Sequence, residues 1–191
     1  MQNSIDNDVI RSIVDVLATF DDLNLTGVVI GGIAVSLIAE ERFTKDIDAL
    51  VLLDNQRVEE LLTALKKRHF VPRFSEMAEF GRQSLFITVA HEERGSIVDI
   101  ALGCMPFEEE LVARATIYPT QEGDIRLPTP EDLVILKAIA KRPKDLEDIR
   151  NIAAVYPSMD LKRIKYWVSA YAELLETPEL WSEIELLLKL S

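Results

Sequence analysis

The segment from Thr26 to Asn55 constrains this chain more than any other. An apolar stretch, Thr26 to Ile30, meets the pair Gly31-Gly32; a second apolar run continues to about Ala39 or Glu40, and DIDALVLL follows at residues 46–53. Glycine passes easily through the sharp corner between a strand and a helix, so residues 26–30 read as a buried strand that turns at Gly31-Gly32 straight into a helix. The later run, closed by Asp54-Asn55, reads as a strand buried on most of its length. Strand, helix and strand in such close succession call for a sheet with helices packed on it.

The flanking sequence extends that plan. Val9, Ile10, Ile13, Val14, Leu17 and Phe20 recur at helical spacing, with Asp6, Asp8 and Asp15 among polar positions, and predict a helix over residues 6–20. Val58, Leu61, Leu62 and Leu65 form the stripe of another, ending near His69 in the basic run Lys66-Lys67-Arg68, as the helix dipole favours. Strands are expected at 70–74, 84–90 and 96–102, the last two joined by a turn at Glu92 to Gly95. A helix over 107–115 and a short edge strand at 125–127, stopped by Pro128, complete a mixed sheet. Thr129 then caps a helix with Pro130 at its first position and acids in its first turn. After a break at Arg142-Pro143, further apolar stripes run to the C-terminus. The expected class is α+β, with a core over residues 1–128 and a helical part over 129–191.

Composition excludes several alternatives. Among 191 residues 48% are hydrophobic, interrupted throughout by charge, which fits neither disorder nor a membrane protein. The longest nearly uncharged run, Leu25 to Ala39, is shorter than the roughly 18–20 apolar residues a bilayer demands and holds three glycines. The start of the chain lacks the basic and apolar stretches of a secretory signal, so a cytoplasmic location is expected. A single cysteine, Cys104, permits no internal disulfide or cysteine-based zinc cluster and reads as a packing residue. A net charge of -12 opposes indiscriminate binding to nucleic-acid backbones, while leaving room for a local basic patch that holds an anion.

The chemistry-bearing residues lie on the same elements. Asp46 and Asp48, two apart on a predicted strand, project from one face. Like charges so close call for a counterion, and magnesium accepts carboxylate oxygens while keeping positions for water or phosphate. The alternative is a solvated strand end. Gly31-Gly32 opens a helix, whose outward amides and partial positive charge suit terminal phosphates; the alternative is a helix start packed closely on its sheet. Asp99 stands among Ile97, Val98, Ile100 and Ala101, so a buried strand is expected to carry it, and its carboxylate needs a metal or a donor there. If its strand lies beside that of Asp46 and Asp48, three carboxylates converge, the composition of a two-metal site for in-line displacement at phosphorus. His69 and His91 suggest nothing catalytic.

Gly31-Gly32, Arg42-Phe43-Thr44-Lys45-Asp46-Ile47-Asp48 and Asp99, in this order and spacing, resemble the minimal nucleotidyltransferases of the DNA polymerase beta superfamily. Residues 127–133 (LPTPEDL) and 137–149 (KAIAKRPKDLEDI) resemble a second block of the AbiEii and MenA type of toxin-like enzymes. The resemblance implies a polymerase beta-like fold whose helical C-terminal part closes one side of a nucleotide cleft. It also implies catalytic and metal-binding roles for Asp46, Asp48 and Asp99, with two magnesium ions or manganese in their place. Gly31, Gly32, Arg42, Thr44 and Lys137 would contact the nucleotide, while Asp145 and Asp148 would orient the basic group or touch the base or ribose. Capping of the helix after Pro143 is the other reading of Asp145 and Asp148. The implied activity is transfer of a nucleoside monophosphate from a nucleoside triphosphate to a hydroxyl on a protein, a transfer RNA or a small molecule, with an antitoxin as a possible partner and no membrane. A catalytically inactive nucleotide-binding module of the same fold is the alternative.

Overall fold

The side chain of Asp6 accepts a hydrogen bond from the Asp8 amide at 2.9 Å and so starts the first helix, α1 (Asn7–Asp22). Its stripe Ile10, Ile13, Val16, Leu17 and Phe20 is buried. Burying each such side chain contributes about 2 kcal/mol, so Phe20→Ala is the single change that would most weaken this helix's seat. The computed structural model describes residues 5–39 and 46–190. Among them β1 (Gly27–Ile30) runs directly into α2 (Gly31–Ile38), as the glycine pair predicts. There follow β2 (Ile47–Leu52), a 3-10 turn at Asn55–Arg57, α3 (Val58–Lys66), β3 (Phe70–Pro72) and α4 (Met77–Ser84). Next come β4 (Phe86–His91), β5 (Ile97–Gly103), α5 (Pro106–Ala113), β6 (Thr116–Pro119) and β7 (Asp124–Leu127).

Five strands form one sheet in the order β1-β2-β5-β4-β3. The β2–β5 pairing is parallel and the other pairings antiparallel, so the sheet is mixed and the class is α+β as expected. On β4 and β5 the side chains alternate. Ile87, Val89, Val98, Ile100 and Leu102 are sealed on one face, while Thr88 and Asp99 stand half-buried on the other.

Two elements depart from expectation. The strand at 125–127 does not edge the main sheet; it pairs with β6 in a separate two-stranded sheet. β6 carries no sequence signal because its residues are largely exposed and lack an apolar alternation. The second departure is α4, a helix in a stretch where no element is expected; it contains Gly81. A Cβ there would stand 2.5 Å from Ile87 Cγ2, so the glycine is what lets α4 lie close on β4. Cys104, expected as a packing residue, is exposed.

The described residues divide into two compact units, 5–33 with 46–128, and 34–39 with 129–190. The second unit holds α6 (Pro130–Ala140), α7 (Pro143–Val155), α8 (Leu161–Leu174) and α9 (Leu180–Leu190). Thr129 caps α6 through the Asp132 amide at 3.3 Å, with Pro130 in the first turn. Lys141 ends α6 in the left-handed conformation, and Pro143 opens α7. Among the described residues no helix is long and apolar enough to cross a membrane.

Candidate active site

The parallel register of β2 and β5 sets Asp48 directly opposite Asp99. The antiparallel pairing of β4 with β5 sets Thr88 opposite Asp99 on the other side, and Ile30 of β1 stands opposite Asp48. Directly opposed residues share a face, and neighbouring strands lie about 4.8 Å apart, so Asp48, Asp99 and Thr88 form a row on the half-open side of the sheet. Gly31 follows Ile30 with φ +68, and a Cβ built on it would fall 2.0 Å from Asp48 Oδ2. The Asp48 carboxylate therefore occupies the space that any other residue at position 31 would claim, and α2 begins against it. Gly32 is buried one residue further on.

Asp46 is exposed and lies just before β2 rather than within it, since the strand begins at Ile47. Asp99, expected to be buried, is half-buried, and no described side chain partners its carboxylate. Thr88 was not singled out by the sequence. Its place beside Asp99 comes from strand register, which sequence spacing alone does not carry. Arg42, Thr44 and Lys45 lie outside the described residues.

The other expected site residues belong to the second unit. Lys137 is 4% exposed, and its Nζ lies 3.1 Å from Asp145 Oδ1 and 2.7 Å from Asp148 Oδ2. Arg142 donates to Asp145 from its backbone nitrogen at 3.1 Å and from Nε at 2.6 Å. Asp145 is thus at once the cap of α7 and the counterion of Lys137, joining two readings that the sequence kept apart. Burial opposes its ionisation, but hydrogen bonds from Arg142 and Lys137 together outweigh it and hold its carboxyl below the ordinary value.

Comparison with known proteins bears on the whole chain. The family described as "Nucleotidyltransferase of unknown function (DUF6036)" matches residues 7–182. The chain belongs to this family. No curated protein matches the sequence. Among solved structures, an antigenic nucleotidyltransferase-like protein from Paracoccidioides brasiliensis aligns over 94% of this chain and 93% of its own, at 19% identity and a TM-score of 0.58. The antibiotic-resistance factor ANT(2'')-Ia aligns over 92% of this chain and 97% of its own, at 16% identity and a TM-score of 0.58. The lincosamide antibiotic adenylyltransferase LnuA covers 76% of this chain and 96% of its own, at 16% identity and a TM-score of 0.53. At these identities the likeness establishes the fold, which is the polymerase beta-like nucleotidyltransferase fold.

In this member of the family the donor set fits a magnesium ion. Asp48 and Asp99 offer hard oxygen donors from adjacent strands, and both are half-buried rather than sealed. Two carboxylates so close repel each other unless a cation lies between them. Among the described residues no group of three or more His, Cys, Asp or Glu side chains is arranged to hold a metal ion. The opening of α2 beside Asp48 brings helix N-terminal amides to the same place, where a phosphate is favoured.

Proposed function

We propose that this chain transfers a nucleoside monophosphate from a nucleoside triphosphate to an acceptor hydroxyl. The observation that carries the proposal is the pairing of Asp48 with Asp99 across β2 and β5, with the Asp48 carboxylate seated against Gly31 at the start of α2. In this reading Asp48 and Asp99 hold magnesium, or manganese in its stead, and Asp46 contributes a further carboxylate. Bound magnesium supplies charge neutralisation at the attacking and leaving oxygens. Amides of Gly31 and Gly32 hold the terminal phosphates, Arg42 offsets their charge and Thr44 donates a hydrogen bond, whereas Lys137, expected on the nucleotide, is buried and neutralised by Asp145 and Asp148.

The acceptor oxygen forms a bond to the α-phosphorus as the bond to the bridging α–β oxygen breaks. Pyrophosphate leaves with that electron pair, and the hydroxyl proton passes to the carboxylate of Asp99. Asp48→Asn removes one of the paired charges and lowers transfer on the order of 100-fold or more while the circular dichroism spectrum stays unchanged. Retained transfer overturns the mechanism. Binding of a nucleoside triphosphate without pyrophosphate release, across a broad panel of hydroxyl acceptors, favours the inactive module instead.

The finer placement beside the AbiEii and MenA type rests on residues 127–133 and 137–149, and an antitoxin partner follows from it. The solved relatives ANT(2'')-Ia and LnuA are antibiotic-directed, which keeps a small-molecule acceptor beside the protein and transfer-RNA acceptors. Labelled nucleoside triphosphates incubated with cell extract distinguish these by the molecule that carries the label. Growth arrest on expression of the wild type but not of Asp48→Asn is expected of a toxin, and undisturbed growth refutes that role.

A further inference from the structure

The row of functional side chains continues past Thr88. The Arg73 amide donates to the Thr88 carbonyl at 3.3 Å, and this bond carries the β3–β4 pairing one residue beyond Pro72 opposite Val89. Arg73 therefore stands opposite Thr88, and the order across the sheet is Asp48, Asp99, Thr88, Arg73. At about 4.8 Å per strand, its Cα lies about 10 Å from that of Asp99. That span suits a group attached to a substrate rather than the reacting oxygen itself.

Among the described arginines of this unit, Arg73 stands out. Arg11, Arg57, Arg68, Arg82, Arg94 and Arg126 each pair with a carboxylate. The Arg73 guanidinium is exposed and makes no hydrogen bond or ion pair with a described residue. In a chain of net charge -12, a cation left out of pairing at the end of the carboxylate row is available to a ligand.

Direction follows from the reaction proposed above, on which this inference rests. In-line displacement sets the leaving pyrophosphate and the attacking oxygen on opposite sides of the α-phosphorus. If pyrophosphate sits at the start of α2 beside Gly31, the acceptor approaches from the far side of Asp99, where Thr88 and Arg73 stand. We propose that Arg73 is an acceptor-binding residue and that the acceptor is a hydroxyl compound carrying a phosphate group. A guanidinium fork pairs with phosphate oxygens bidentately, and it offsets the repulsion between an anionic acceptor and the two aspartates.

The test uses the full chain in magnesium buffer, with glycerol 3-phosphate, glycerol and ethanolamine as phosphate-bearing, neutral and cationic hydroxyl probes. Binding is followed by amide NMR titration, and transfer by kcat/KM for each probe with labelled nucleoside triphosphates. Glycerol 3-phosphate is expected to bind best, shifting the Arg73 and Thr88 amides. Arg73→Glu weakens that binding about tenfold or more and removes the preference in kcat/KM, while Arg73→Lys, keeping the charge but losing the fork, falls between. Equal binding of the three probes, preference for ethanolamine, or unchanged binding of glycerol 3-phosphate by Arg73→Glu overturns the proposal. The titration is independent of chemistry. Failure of transfer to every acceptor counts against the reaction, whereas binding untouched by Arg73→Glu counts against this site alone.

Discussion

Replacing Gly31 by alanine would bring a methyl group to within 2.0 Å of Asp48 Oδ2 at a residue whose φ is +68. The positive φ costs an L-residue about 1–2 kcal/mol, and the overlap forces the carboxylate aside. Gly31→Ala should therefore lower urea-unfolding stability by about that amount. Transfer activity should fall more steeply than stability alone explains. Activity equal to wild type would show that the Asp48 position is not critical. At this scale much of the candidate site was legible: Gly31, Asp48 and Asp99 announced themselves by residue type and spacing. Asp46 was expected inside the strand and lies before it, and Thr88 and Arg73 gave no signal, because their place in the row exists only once strands are paired.

Helix α7 shows how an element can depend on a few buried charges. Asp145, fully buried, caps its start and pairs with Lys137 of α6. Removing one partner of a buried ion pair typically costs about 3–5 kcal/mol, so Lys137→Met should unfold at distinctly lower denaturant. The pH dependence follows from the depressed carboxyl of Asp145. Its stabilising contribution is fully present above the ordinary aspartate value, about 3.9, and is lost as pH falls through the lower folded value. Acid titration followed by circular dichroism should show this limb in the wild type, and Asp145→Asn should flatten it. Helices with strong apolar stripes, such as α1 and α3, were readable in the sequence. α4 was not, because Gly81 lies inside it and its fit depends on Ile87 of a distant strand. β6 was not, because an exposed strand carries no alternation.

The molecule as a whole is divided in space differently from a single cut in sequence. Residues 34–39 belong with 129–190, and Ala34, Val35 and Leu37 are buried. A chain ending at residue 128 would leave these apolar side chains without their cover, and is expected to aggregate where the full chain elutes as a discrete species on gel filtration. A well-behaved 1–128 fragment would contradict this grouping. The sequence announced a change of character at Thr129 through its capping signal, but it could not show that an early helix contributes to the later unit.

That early helix also sets an order of events during synthesis. On a ribosome, α2 emerges long before α6, and the segment 34–39 cannot reach its final neighbours until the C-terminal helices have been made. The nascent chain must therefore carry an uncovered apolar segment through most of its translation. Gly31 and Asp48 are on hand early, whereas the segment 34–39 finds its neighbours only at the end.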